Sequence, residues 1–180
     1  MFNMTAPRFT TVKLDCAIRQ LRVAISLWFQ DGDEIAVHTL ACAAHQIIHD
    51  INVHRGGRDL LFDSIIFKEE YRKEANDWLR KESNFFKHAD RDPEGIIEFS
   101  PMKTELFIMS SLLGLEGFGL KHDSTCSAYI MWFCIHHFEY LTDVGKQQFT
   151  PEQRQMLAAV SPRRFFELHK ASRDRIMHIR

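Results

Sequence analysis

The segment from Asp33 to Val53 constrains the fold more than any other part of the sequence, because its apolar residues cover more than one side of a helix. At ~100° of rotation per residue, they form a broad arc that comprises Val37, Leu40, Ala44, Ile47, Ile48 and Ile51. A helix with this pattern is stable when neighbouring helices cover it on several sides. The sequence therefore predicts a central helix in a bundle.

The preceding segment predicts a helix that forms a hairpin with the central one. Residues 11–29 carry apolar residues at alternating steps of four and three, and Thr11 is placed to cap that helix. A turn is expected between the two helices, because Gly32 tolerates a left-handed backbone and Asp33 can accept hydrogen bonds from the amides that follow.

A third helix is expected from about Leu60 to Ala89, and four further helix starts follow in the second half of the chain. One of them, at Asp123 or Ser124, begins a very apolar helix that we expect to continue to Tyr140. In the other three, a hydroxyl can cap the helix and proline takes its first position: Ser100-Pro101, Thr150-Pro151 and Ser161-Pro162.

Two segments do not have a clear helical pattern. The segment Ile96–Phe99 is the one strand candidate, and the segment from Gly114 to Gly119 predicts a mobile connection or hinge. A lone strand cannot form a sheet, so the predicted fold is all-α. We expect a loose N-terminal arm over residues 1–10, followed by a single-domain helical bundle over residues 11–180, with about five long helices and one or two short ones.

The composition limits the partners and the compartment that we expect. The formal net charge of −1 provides no overall attraction for nucleic acid or an anionic membrane, and no apolar run approaches the length of a membrane span. The four cysteines contain no C-x-x-C pair, which is typical of reduced, packed thiols. We therefore expect a cytoplasmic protein without a membrane partner.

A row of polar residues runs along the predicted central helix. Its members are four, three, four and three residues apart and therefore lie on one stripe: His38, Cys42, His45, His49 and Asn52. Histidines in such a row can hydrogen-bond within a packed polar seam, and they can also line the interface of a homodimer.

The same stripe permits a metal site. The i,i+4 pair His45 and His49 can occupy two positions around a divalent ion such as Zn, Mn, Fe or Ni, with further ligands from partner helices. The partner candidates are His88 on the third helix and His137 on the fifth. We prefer His137 to His136 because the apolar face of that helix is on its side.

The segment 84–93 places unlike chemical groups at the end of the third helix. His88 could act as a base or a metal ligand, Asp90 or Asp92 could orient it, and Lys87 or Arg91 could hold an anionic group. The alternative is an ordinary helix end, in which cations complement the helix dipole and Asp92 precedes the proline of a turn.

The C-terminal segment is basic and contains the sequence Arg173-Asp174-Arg175-Ile176-Met177-His178. This R-x4-H arrangement resembles the motif of the HEPN ribonucleases, which are small helical bundles that pair their motifs across a dimer interface. The resemblance implies a nucleic-acid partner, with Arg173 stabilising phosphate and His178 acting as a general acid or base. The alternative is a solvated basic helix face.

Three functional hypotheses follow from the sequence. The leading one is a polar cleft of histidines and carboxylates between the second, third and fifth helices, with a divalent metal as its cofactor. The second is a HEPN-like ribonuclease or nucleic-acid-binding module. The third is a noncatalytic homodimeric interaction protein whose histidines lie in the subunit seam.

Overall fold

A computed structural model of the protein describes residues 9–57, 59–63, 69–90 and 92–177. Within these ranges there are eight helices, two short 3-10 turns and no strand. The helices are α1 Lys13–Phe29, α2 Glu34–His54, α3 Glu69–Phe85, α4 Met102–Gly117, α5 Ser124–His136, α6 Asp143–Lys146, α7 Pro151–Ala158 and α8 Pro162–Met177. The all-α prediction is therefore confirmed, and the number of long helices is six because the C-terminal segment contributes a full one.

The hairpin of α1 and α2 is confirmed, but its local details differ from the prediction. Val12 is the N-cap of α1, and the Thr11 hydroxyl donates to Asp15 at 3.0 Å instead of accepting from the backbone. In the turn, Asp31 has the positive φ of 54°, so the left-handed position precedes Gly32. Asp33 does cap α2, because its carboxylate accepts from the Ala36 amide at 2.8 Å.

Helix α2 is central, as its pattern predicts, and it packs against α1 and α4. Contacts between α2 and α4 keep a nearly constant offset in residue number, from His38 with Thr104 to His45 with Ser110. Both numbers increase together, so the two helices run parallel. Their side chains therefore meet in a fixed register along the middle of the bundle.

The prediction of a mobile connection at residues 114–119 is wrong for its first half, because α4 continues through Gly117. Gly114 lies buried in this helix against α2. A Cβ at this position would be 2.5 Å from Cγ2 of Ile48 and 3.1 Å from Cδ1 of Leu60. The glycine is needed for the close approach of two helices, and the local sequence does not reveal that contact.

We predict that Gly114→Ala destabilises the fold in spite of the higher helix propensity of alanine. The added methyl must displace the buried Ile48 side chain, at about 1–3 kcal/mol. Gly117→Ala is the matched control, because nothing lies within 4 Å of a Cβ there. It should leave the free energy of unfolding unchanged or raise it by up to ~1 kcal/mol. Chemical denaturation of both variants measures the difference, and equal stabilities would contradict the packing described for Gly114.

The third helix is shorter than predicted. Residues 61–63 form a 3-10 turn, α3 begins at Glu69 and ends at Phe85, and residues 64–68 lie outside the described part of the chain. After Phe85 the backbone makes one more turn, in which the His88 amide donates to the Asn84 carbonyl at 3.1 Å. The segment from His88 onward is therefore free to leave the helix axis.

A buried ion pair that the sequence analysis missed attaches α3 to α4. The Lys103 ammonium donates to both carboxylate oxygens of Glu82 at 2.7 and 2.8 Å and to the Trp78 carbonyl at 2.7 Å. It also lies 3.9 Å from the centre of the Trp78 ring. Only 7% of the Lys103 side chain and 8% of the Glu82 side chain are exposed, so each charge depends on the other.

We predict that Lys103→Met is strongly destabilising, because it leaves the Glu82 carboxylate buried without its cation. Removal of one member of such a pair costs about 3–5 kcal/mol. Lys73→Met is the matched control, since Lys73 and Asp77 form an exposed i,i+4 ion pair within α3, the helix that carries Glu82. Thermal and chemical denaturation should separate the two variants clearly. A Lys103→Met protein as stable as the Lys73→Met protein would contradict the buried pair.

The later helices confirm most of the predicted starts. Asp123 caps α5 by accepting from the Cys126 amide at 2.9 Å, and Thr150 forms a complete capping box with Gln153 at the start of α7. Helix α8 begins at Pro162, and the Ser161 hydroxyl accepts from the Arg164 amide at 3.4 Å.

Three predicted details in this half are wrong. Helix α4 begins after Pro101 without a side-chain cap, so Ser100 does not have the expected role. Helix α5 ends at His136 instead of Tyr140, because the His137 backbone leaves the helical region at φ −114° and ψ 39°. Residues 96–99 are irregular rather than extended in a ladder, since the described residues offer this segment no partner strand.

Two further observations concern the cysteines and the described helices. The four cysteines are all free thiols, as predicted. Among the described helices, none combines the length and the apolar character that crossing a lipid bilayer requires.

Candidate functional site

The polar row on α2 forms a buried network with hydroxyls of α4. The His38 ring shares a hydrogen bond with Oγ1 of Thr104 through Nδ1 at 2.8 Å and lies 3.3 Å from the Cys42 sulfur through Nε2. Nε2 of His45 is 3.2 Å from Oγ of Ser110. Both imidazoles are completely buried, and aromatic rings such as Phe107 pack edge-on against them.

This environment keeps His38 and His45 uncharged. Burial lowers the pKa of His38 to about 4, and it lowers the pKa of His45 to about 3 with a further contribution from nearby His49 and Arg80. Burial also raises the pKa of the Cys42 thiol to about 12. At neutral pH His38, Cys42 and His45 are therefore uncharged, and they form a polar seam between two parallel helices, which is the packed arrangement that the spacing permits.

We predict that stability falls with acid because of these two histidines. An unfolded histidine titrates near 6.5, whereas the folded groups remain neutral down to about 4 and 3. The unfolded chain thus binds more protons in this window, and the free energy of unfolding should fall from pH 6.5 downward by up to about 1.4 kcal/mol per pH unit for each histidine.

The variant His45→Gln tests the assignment, because an amide can still bond Ser110 but does not titrate. The slope of stability against pH should become shallower by up to about 1.4 kcal/mol per pH unit between about pH 6.5 and pH 4. His54→Gln is the control, since His54 lies exposed at the end of the same helix. An unchanged slope in His45→Gln would mean that His45 is already accessible to protons in the folded protein.

The residues predicted as metal ligands do not form one cluster. Among the described residues, no group of three or more His, Cys, Asp or Glu side chains is arranged to hold a metal ion. His49 is nearly buried, with Nδ1 3.4 Å from Oδ1 of Asp50. The metal site on His45, His49, His88 and His137 stays a prediction.

His137 lies at the end of α5 and contacts α4. Its Nε2 is 2.7 Å from Oε2 of Glu105, and the pair is half-buried. His136 is exposed and stacks on Trp132 with ring centres 4.5 Å apart. His137 is therefore the more buried of the two, and its partner is a carboxylate of the neighbouring helix.

The segment after α3 forms one wall of an open cleft of about 730 Å³, which we name the outer cleft. It is lined by Lys81, Asn84, Phe85, His88, Asp90, Asp92, Ile96 and Ile97. His88 and both carboxylates that the sequence analysis selected thus line the same depression. Nδ1 of His88 is 4.0 Å from Oδ1 of Asp90, and both side chains are largely exposed. Arg91 lies outside the described residues.

A second, smaller space of about 190 Å³ lies between α2 and α3, and we name it the inner cavity. It is lined by Cys42, Gln46, Phe62, Arg80, Ser83, Asn84, Lys87 and Phe107. Its lining residues from α3 and the turn that follows are spaced as i, i+3, i+4 and i+7, and those of the outer cleft have the same spacing one residue later. The two spaces therefore lie on adjacent faces of α3, with Asn84 in both.

A third depression was missed by the sequence analysis. It has a volume of about 770 Å³ around the turn between α1 and α2, and four carboxylates line it: Asp31, Asp33, Glu34 and Glu105. Two of these are engaged elsewhere, because Asp33 caps α2 and Glu105 pairs with His137. The sequence indicated this depression only through the acidic residues of the turn, Asp31, Asp33 and Glu34.

The remaining predicted residues, Arg173 and His178, belong to the C-terminal segment of the sequence. The backbone of Arg173 belongs to α8, whereas its side chain and all of His178 lie outside the described residues. The ribonuclease hypothesis and the homodimer hypothesis therefore stay predictions.

Comparisons of this chain with protein-family models, with curated proteins and with solved structures found no match. Its function must therefore be inferred from its own side chains.

Proposed function

We propose that the protein binds a small polar ligand in the outer cleft, with His88 as the group that exchanges a proton with it. The observation that supports this proposal is the convergence of His88, Asp90 and Asp92 on one cleft. Its volume of about 730 Å³ falls within the usual range for small-molecule sites.

His88 suits this role because imidazole is the side chain that titrates nearest neutral pH. Asp90 lies 4.0 Å from Nδ1, and a small rotation of either exposed side chain would form a hydrogen bond. Such a bond would fix the tautomer of the ring and leave Nε2 available to the ligand.

The other lining residues indicate the chemical class of the ligand. Among the described lining residues, Asp90 and Asp92 present two carboxylates and Lys81 one ammonium, so a cationic or hydrogen-bond-donating group is favoured. Phe85, together with Ile96 and Ile97, adds an apolar wall. A small amine with a short apolar part fits both features.

We predict that fragment-sized amines bind the wild-type protein and that His88→Gln and Asp90→Asn each weaken them about tenfold, the loss expected for one charge-assisted hydrogen bond. Ligand-observed NMR with a library of primary and secondary amines would measure this. His54→Gln is the matched control, because His54 is an exposed histidine that does not line the outer cleft. Equal binding by all four proteins would contradict the proposal.

Titration with Mn²⁺ tests whether the outer cleft binds a divalent metal ion instead of an organic amine. Nitrogen and carboxylate donors suit a divalent transition metal, and a bound paramagnetic ion would broaden the NMR signals of His88, Asp90 and Asp92 before others. Broadening centred on other residues would exclude a metal site in this cleft, and the amine titration would then decide the proposal.

A further inference from the structure

The inner cavity has a distinct chemical character that the outer cleft does not share. Two cations line it, Arg80 and Lys87, and no carboxylate is among its lining residues in the described part of the chain. Neutral hydrogen-bonding groups complete the polar wall, namely the hydroxyl of Ser83 and the amides of Gln46 and Asn84. The lining therefore carries a positive charge and several donors.

Arg80 is the strongest indication that this space takes a ligand. Its guanidinium lies 4.2 Å from the centre of the Phe62 ring, which holds it in place. Its Nε is buried and has no hydrogen-bond partner among the described residues. A buried donor of a charged group without an acceptor is unfavourable, so an acceptor supplied from outside would stabilise it.

Lys87 has free donor capacity as well. Its ammonium donates to Oγ of Ser83 at 2.8 Å, and two of its three N–H groups remain for another acceptor. Among the described side chains, the nearby acids are engaged elsewhere, because Glu82 pairs with Lys103 and Asp50 accepts from Gln46 at 2.8 Å while its side chain is mostly exposed. The Cys42 thiol is protonated and adds no negative charge.

We propose that the inner cavity binds a phosphoryl group, held by Arg80 and Lys87. A space of about 190 Å³ is smaller than a usual small-molecule site and accommodates one functional group. The guanidinium and the ammonium are both established phosphate ligands, and donors from α2 and α3 surround the cavity. A tetrahedral oxyanion has acceptors for more of these donors than a planar carboxylate has. The group can be free phosphate or the terminal group of an organic phosphate.

Calorimetric titration of the full chain with inorganic phosphate at low ionic strength tests the proposal. We expect saturable binding in the wild-type protein with a dissociation constant in the millimolar range or below, unaffected by chloride at matched ionic strength. Arg80→Gln and Lys87→Gln should each weaken it about tenfold. Lys73→Gln is the matched control on α3, because it removes one exposed cation far along the helix and should change binding less than about twofold.

Lys87→Gln keeps the test decisive if Arg80→Gln fails to fold, because Lys87 is exposed and its replacement leaves the packing of α3 intact. Phenyl phosphate, titrated in parallel, identifies the source of the group. Tighter binding of phenyl phosphate supports an organic phosphate, and tighter binding of inorganic phosphate supports the free ion. Absence of saturable binding of both probes up to about 10 mM, or equal weakening by Lys73→Gln and Lys87→Gln, would overturn the proposal.

Discussion

The register between α2 and α4 is the constraint on which the rest of the structure depends. Helix α2 is covered on several sides but carries imidazoles, and a buried imidazole needs a polar partner. Thr104 and Ser110 of α4 provide those partners at nearly the same offset along the chain, and Gly114 then allows the backbone to approach Ile48. With α4 held in this position, Lys103 at its start meets Glu82, and the ion pair positions α3. The two faces of α3 that line the outer cleft and the inner cavity are thus placed by contacts that begin on α2.

The neutral seam and the cationic cavity meet at one residue. Cys42 lies 3.3 Å from Nε2 of His38 and also lines the inner cavity. The chain of contacts from Thr104 through His38 to Cys42 immobilises the α2 side of the cavity, because each of these groups is buried. On the α3 side, by contrast, Lys87 is exposed and reaches Ser83 with a flexible side chain. On the α3 side Arg80 is held against Phe62, so Lys87 is the cation whose side chain a ligand still has to order.

Local sequence chemistry accounts for most of the architecture. The bounds of α2 differ from the prediction by one residue at each end, and the caps at Asp33, Asp123 and Thr150 form as expected, since these signals act within a single helical turn. Features that depend on a distant partner were not predictable in this way. Gly114 has the local pattern of a loop, but a contact with Ile48 makes it a helical packing residue. Lys103 and Glu82 look like two ordinary surface charges until α3 and α4 are brought together.

The difference between local signals and contacts with distant residues also explains which features of the site were predictable from the sequence. Spacing alone placed the histidines on one stripe, but the partner helix determines their contacts, because α4 presents hydroxyls to His38 and His45. The cationic face was also visible as a spacing, since Arg80, Ser83, Asn84 and Lys87 recur at i, i+3, i+4 and i+7. The charged residues Lys81 and Glu82, which lie between members of this face, obscure its helical spacing in the sequence. A helix turns ~100° per residue, so this face and the one that includes His88 are immediate neighbours. Asn84 lies on their common border, and the identity of that residue therefore affects both the cationic cavity and the acidic cleft.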